Sequence, residues 1–474
     1  MSEKNEFLFY AYNPPTSGKF RINGAEYRYG EDFRNAKRYK EYLDCGFDIV
    51  LARYENAYKG EEWEGSDCQL VFKEALKGGC KKILVTDERF DGFIRENDLI
   101  GDGKRFASEK ELDREVEKCV APYCNQEGFY GIQLLDEPTY ANIPAYGQLV
   151  HSLNRVLPGV YLQCNLLPVD ARAALLSPDG DKGLQNSADP TVKFSHELGG
   201  HQGIYEKYVN DFTDATGLDY VLFDEYAFRK NYIICGHTIP NYQIVARICR
   251  QRKLDFYVVL QSFAYVFNGN LAGRPLTQSD MYWQTNLALG FGVKEFAFYT
   301  YMTKSNMTFL GEKTGEGSID GASFINLDGT RTALYSYTKR IIKEMKSFAP
   351  VALKYRYESS HIVTEAGKTC KDFDWTKFLY EDEPSPIPVS VDKGVSLITR
   401  STGENGELYM IENIGNVRDE LFNNAPPMQV NVSLPDGEKT FYFRGKQVKA
   451  SPDKNGTYKF SLKVGDAIFA EVKR

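Results

Sequence analysis

The side chains able to do chemistry here are mostly carboxylates and amides that follow short apolar runs. Asp87, Asp136, Glu137, Asp224 and Glu225 each stand at such an exit, as do Asn165, Gln261 and Tyr299. Two carboxyl groups brought together can split a glycosidic bond. One protonates the departing oxygen while the other attacks the anomeric carbon or activates water. Clustered carboxylates also raise one another's pKa, which keeps the acid protonated near neutrality. An acid at a strand exit can instead cap the helix that follows, an equal alternative for Asp87 and Asp136. Glu137 is followed directly by Pro138 and fits the capping role less well.

The elements that must position these residues follow a simple order. Apolar runs cover 7–12, 47–52, 82–86, 131–135, 160–165, 220–223, 256–260 and 295–300. Amphipathic stretches at 31–43, 108–119, 145–156, 205–215, 242–252 and 278–289 lie between them, and 331–347 closes the pattern before Pro350. Ser108 with Glu111 predicts a capping box at one helix start. Such alternation predicts βα units and a parallel sheet. Eight units predict an α/β fold, a (β/α)8 TIM barrel over residues 1–350. A doubly wound open sheet is the rival, but its Gly-rich phosphate loop is missing after the first run. Beyond 350 the texture changes. Runs at 394–399, 408–414, 428–434, 440–444, 456–462 and 466–472 are separated by turns such as Pro435-Asp436-Gly437 and Lys454-Asn455-Gly456. They predict a C-terminal antiparallel β-sandwich domain over 351–474.

Barrel sites lie at the C-terminal ends of the strands, and strand alternation selects which side chains face inward. Gln133, Leu135 and Glu137 share one face of the fourth strand, and a buried amide is awkward beneath a helix, so Glu137 is expected to point inward. The same rule turns Asn165 inward on the fifth strand, Asp224 on the sixth and Gln261 on the seventh. Glu225 lies at the strand exit, where alternation need not hold.

Leu134-Leu135-Asp136-Glu137-Pro138 resembles the strand-four ending of the large retaining barrel-glycosidase superfamily, where Asn-Glu-Pro or Asp-Glu-Pro supplies the general acid/base. Phe223-Asp224-Glu225-Tyr226-Ala227-Phe228 is similar to the Tyr-Asp-x-Tyr-Pro-Phe ending of bacterial barrel proteins related to β-galactosidase-type enzymes. Residues 277–300 resemble the last helix and strand of the same group. The resemblance implies a glycoside hydrolase with Glu137 as acid/base. It departs at one point: the superfamily's nucleophile is a Glu ending strand seven, and here Gln261 stands there. A neutral amide cannot form the glycosyl-enzyme ester, so the second carboxylate falls to strand six, Asp224 preferred over Glu225, or the enzyme inverts. A non-catalytic carbohydrate-binding barrel and a barrel lyase or isomerase are the alternatives.

The remaining features bound the function. The net charge of −7 recommends neither nucleic acid nor an anionic membrane as partner, and no apolar run is long enough to span a bilayer. The first residues carry no signal-peptide pattern, and nine dispersed Cys without CxxC spacing read as free thiols, so a cytoplasmic location is expected. The expected partner is a small carbohydrate, and homo-oligomerisation is left open. Tyr226, Asn165, Gln261, Tyr299 and Asp87 are the candidate sugar contacts by rim position. Trp63, after the second strand, is the candidate stacking platform, whereas Trp283 reads as core. His196-Glu197-Leu198-Gly199-Gly200-His201 lacks HExxH spacing, so no metal or other cofactor is expected.

Overall fold

The computed structural model describes residues 6–22, 25–28, 31–177, 202–229, 233, 235–267, 270–303, 322–366, 368, 384–415 and 426–474. The segment containing His196 and His201 lies outside them, as does Cys370.

The chain forms a mixed α/β fold in which two parallel sheets precede a separate antiparallel region. The parallel strands are β1 (Leu8–Ala11), β2 (Val50–Ala52), β3 (Ile83–Thr86), β4 (Phe129–Gln133), β5 (Tyr161–Gln163), β6 (Tyr220–Glu225), β7 (Asp255–Gln261) and β8 (Glu295–Tyr299). One sheet runs β2-β3-β4-β5. The other runs β1-β8-β7-β6 and ends on Asn165–Leu166, the continuation of β5 beyond Cys164. Tyr10 also bridges Ile49 in parallel, beside β2. Alternation separates two apolar sets, as expected of strands covered on both faces. Leu8, Tyr10, Leu51, Leu84, Leu222 and Val259 meet in one cluster. Phe9, Val50, Val85, Phe223, Val258 and Phe298 join a larger one together with helix side chains.

The helices are α1 (Ala36–Asp44), α2 (Asp67–Lys77), α3 (Glu88–Ile94), α4 (Glu109–Val120), α5 (Ile143–Val156), α6 (Gln202–Thr216), α7 (Cys235–Arg252), α8 (Gln278–Gly290) and α9 (Ala333–Ala352). Three ends differ from expectation. The first helix begins five residues later than the amphipathic stretch, because Asn35 caps it through its side chain on the Arg38 N–H. Ser108 occupies an N-cap without a side-chain bond, and Glu111 instead accepts from the Ala107 N–H at 2.8 Å. The reciprocal box forms at Thr277 and Asp280. The last helix runs through Pro350 to Ala352. None of the described helices is long and apolar enough to cross a membrane.

The antiparallel region contains β9 (Arg356–Thr364), β10 (Val389–Val391), β11 (Val395–Gly403), β12 (Gly406–Asn413), β13 (Met428–Val432), β14 (Glu438–Phe443), β15 (Lys446–Val448), β16 (Tyr458–Leu462) and β17 (Ala467–Lys473). A six-stranded sheet, β9-β11-β12-β17-β14-β15, shares an apolar cluster with the three-stranded sheet β10-β13-β16. Its opposite face packs toward the helices. The Phe469 ring packs tilted against Phe348 of α9, and the Trp283 indole of α8 donates to the Ile414 carbonyl at 3.3 Å. Trp283 is thus core, as read from the sequence.

Gly131 shows how tightly β4 and β5 approach below the site. A Cβ there would lie 2.0 Å from the Tyr161 carbonyl oxygen. Gly131→Ala is therefore expected to lower the urea midpoint, at unchanged m, by an amount equivalent to about 1–3 kcal/mol.

Candidate active site

Glu137 does reach the rim, but strand alternation is not what takes it there. Strand β4 ends at Gln133, and Leu134 and Leu135 both enter the outer apolar cluster. Glu137 then takes a left-handed backbone conformation, φ 51°, with its N–H bonded to the Asn165 carbonyl at 2.9 Å. A side chain other than glycine pays roughly 1–2 kcal/mol for that conformation. Asn13 (φ 53°) and Tyr54 (φ 60°), just beyond β1 and β2, share it. Such outliers persist where surrounding structure over-determines them.

Asp224 lies on β6 in the inward register with Leu222 and is buried. Its carboxyl interacts with that of Glu137, and the Tyr226 hydroxyl favours its ionised form. Burial pushes the Asp224 carboxyl well above the usual range, and the charges of Glu137 and Asp136 push it further. Much of Glu137 is exposed, yet its carboxyl end is drawn among protein atoms. Burial raises it first and Asp136 second, while the interaction with Asp224 draws it back. Two carboxyls in such contact share one proton, because both cannot ionise side by side out of water. The Oδ1 atom of Asp224 has no protein hydrogen-bond partner.

Asp136 supports this pair from the side. It accepts from Arg53 at 2.9 Å, from Asn165 Nδ2 at 3.1 Å and from the Tyr12 hydroxyl at 3.5 Å. Those partners hold a charge, not a helix cap. The Oδ1 atom of Asn165 is buried and has no protein partner. Tyr226 and Tyr299 form an aromatic wall with Phe263 and Tyr12. Their ring centroids lie 5.8 Å apart, and Phe263 sits 5.1 Å from Tyr226. Burial pushes the Tyr299 hydroxyl up, and Tyr54 adds to that.

Four candidates are placed elsewhere. Glu225 faces the opposite side of β6, where Thr238 Oγ1 and Asn241 Nδ2 of α7 donate to it at 2.9 and 3.0 Å. Alternation continues through the end of β6 and so separates Glu225 from Asp224. Gln261 is fully buried and serves the backbone. Its Nε2 donates to the Phe228 and Phe263 carbonyls, and its Oε1 accepts from the Phe228 N–H, so both amide hydrogens are already used. Asp87 caps α3 and binds Arg89 at 2.6 Å and the Tyr123 hydroxyl at 2.9 Å. Trp63 packs on Tyr58, Phe72 and Tyr123, half-buried at the edge of the core.

Sequence reasoning missed Arg53 and Tyr54. Arg53 leaves β2 with its guanidinium over the Tyr12 and Tyr54 rings, 5.1 and 4.8 Å from their centroids. The strand-exit rule pointed to both residues, but a search for carboxylates and amides passes over a cation. Asp91 of α3 was missed too, and burial pushes its carboxyl up to about 6. Among the described residues no group of His, Cys, Asp and Glu could hold a metal ion.

No family model matches the chain, and no curated protein matches it in sequence. Solved structures do match. A glycoside hydrolase family 5 protein from Bacteroides vulgatus aligns with 99% of this chain and 89% of its own, at TM-score 0.52 and 11% identity. An Anoxybacillus alpha-amylase aligns over 100% and 99%, at TM-score 0.51 and 11% identity. A structure described as a glycoside hydrolase aligns over 99% and 97%, at TM-score 0.50 and 12% identity. The chain shares the fold of these glycoside hydrolases. At such identity the likeness concerns the fold alone.

Two measurements follow from the geometry. Only glycine relieves the left-handed backbone at 137, so Glu137→Gly is expected to be about 1 kcal/mol more stable than Glu137→Ala in urea unfolding. For Glu225, burial and the Asp170 charge push the carboxyl up to about 7, against about 4.3 in an unfolded chain. The folded state therefore holds this proton more tightly. Its stabilising contribution is complete below about pH 4.3 and is lost as the pH rises toward 7. Glu225→Gln is expected to flatten the stability decline between pH 5 and 8 by on the order of 2 kcal/mol.

Proposed function

We propose that this chain is a glycoside hydrolase acting on a small oligosaccharide or glycoside, with Glu137 as general acid/base and Asp224 as nucleophile. The observation that carries the reading is the interacting pair of carboxyls at the strand exits, both raised by burial. That the similar solved structures are glycoside hydrolases supports the same class. In this reading the two parallel sheets form one (β/α)8 barrel over 1–350, joined through the Tyr10–Ile49 bridge and through β5. Residues 351–474 form a β-sandwich domain.

The roles follow from the surroundings. Glu137 is the exposed member, where a leaving group can depart, and Asp224 is the buried one. The pair's proton rests on Asp224, whose carboxyl burial raises most, and the proposed chemistry requires it to pass to Glu137 as a sugar enters, the Tyr226 hydroxyl then favouring ionised Asp224. Glu137 then protonates the glycosidic oxygen as Asp224 forms the ester at the anomeric carbon. In the second half Glu137 takes a proton from the water that cleaves that ester. Retention is favoured because the pair must open only a little to admit an anomeric carbon, and much further to admit a water as well. Inversion needs a gap of roughly 6.5–9.5 Å, retention about 5–5.5 Å. Asn165, Tyr226, Tyr299 and the newly found Arg53 and Tyr54 are the proposed sugar contacts. The seven unpaired cysteines among the described residues support a reducing compartment such as the cytoplasm.

Nitrophenyl glycosides test this. Glu137→Gln is expected to lose about 10²–10⁴-fold in kcat/KM, and less on dinitrophenyl substrates that need little protonation. Asp224→Ala with azide should yield a glycosyl azide of inverted configuration, and Glu137→Ala with azide one of retained configuration. Unchanged turnover in Glu137→Gln or in Asp224→Ala would remove the assignment.

A further inference from the structure

Asp136 leaves two polar atoms of its neighbours unused. Its Oδ2 accepts from Arg53 Nη2 at 2.9 Å, and its Oδ1 accepts from Asn165 Nδ2 at 3.1 Å and from the Tyr12 hydroxyl at 3.5 Å. An ion-paired carboxylate has only acceptors to offer, so the Asn165 amide must turn its nitrogen toward Asp136. Its carbonyl oxygen is thereby turned away, buried and without a protein donor. Nη1 of Arg53 is likewise buried and without an acceptor, while the guanidinium is held over the rings of Tyr12 and Tyr54. One orphan acceptor and one orphan donor are thus tethered to the same carboxylate. Asn165 also stands beside the reacting pair. Its backbone carbonyl holds the Glu137 N–H at 2.9 Å, and it pairs with Leu222, two residues before Asp224 on β6.

We propose that Arg53 and Asn165 together determine specificity by reading one free ring hydroxyl of a neutral sugar, Arg53 donating to its oxygen and Asn165 accepting its hydrogen. This rests on the reading of the chain as a glycoside hydrolase and names the substrate class of that site. A hydroxyl gives and takes a hydrogen bond at once. An ether or a carboxylate only takes one, and an ammonium only gives one. A carboxylate is refused on charge as well, because the Arg53 charge is already matched by Asp136, with Glu137 next in the chain. Both orphan atoms are shut off from water. A substrate that supplies the hydroxyl as the rim opens satisfies both, and one that lacks it leaves both unpaired. A site built in this way discriminates far more sharply than an apolar pocket does.

The test compares the nitrophenyl glycoside that the wild type cleaves fastest with its monodeoxy forms, in the wild type and in Asn165→Leu. That variant keeps the backbone bond to Glu137, and the intrinsic reactivity of each glycoside cancels because both proteins meet the same substrates. The wild type is expected to disfavour one monodeoxy form by about 10²-fold or more in kcat/KM, and Asn165→Leu to shrink that preference, at that carbon alone, to below about 10-fold. A purely structural role would lower every substrate alike. Asn165→Ala is the second variant if the first does not fold. The proposal is overturned by a wild type that treats all monodeoxy forms alike, by a preference that survives in the variant, or by faster cleavage of a nitrophenyl uronide than of any neutral glycoside. If no nitrophenyl glycoside is cleaved, the hydrolase reading fails and binding decides. Saturation-transfer NMR on the methyl glycosides and their monodeoxy forms should then show the same single-carbon preference, lost in Asn165→Leu, and its absence overturns the proposal too.

Discussion

Two carboxyl groups in contact and out of water cannot both be ionised, and the rim of the parallel strands is organised around that constraint. Glu137 is held in a left-handed conformation by its backbone bond to Asn165, which brings its side chain to Asp224. Tyr226 favours the ionised form of Asp224, and Arg53 offsets part of the charge that the adjacent Asp136 places on the pair.

The two-residue period of a strand gives adjacent acids opposite electrostatic surroundings. Asp224 and Glu225 are neighbours in sequence. One meets a carboxyl across the rim, and the other meets hydroxyl and amide donors on a helix. Both are pushed up by burial, but only the inner one touches another proton-sharing carboxyl.

The antiparallel region acts on this arrangement at a distance. Its Ile414 carbonyl anchors Trp283 of α8, and Met410 fills the space left by Gly290 at the end of that helix. On the same helix Gln284 bonds both backbone groups of Gln261, whose own side chain clamps Phe228 and so fixes the chain that leaves Asp224 through Tyr226. Gln261 is therefore a strut in a line that runs from the antiparallel sheet to the carboxyl pair. The amide at the end of β7 is explained without any ligand.

The eight parallel strands were legible from apolar runs alone, because a strand buried on both faces has to be apolar almost throughout. The inward turn of Asp224 was legible for the same reason, since strand period is a local property. The Asp-Glu-Pro pattern marked Glu137 correctly as a rim residue. The rule that turned it inward failed, because the strand stops four residues earlier and a backbone bond to Asn165 takes over. Long-range contacts also decided the fate of Asp87, Glu225, Gln261 and Trp63. Each had a residue type suited to the site, but a partner distant in sequence claimed it: Tyr123 for Asp87 and Trp63, Asn241 for Glu225 and Phe228 for Gln261. Sequence by itself determined which side chains arrive at the strand ends. Tertiary structure decided which carboxyl meets which, because that depends on distances between strands and helices that no local pattern encodes.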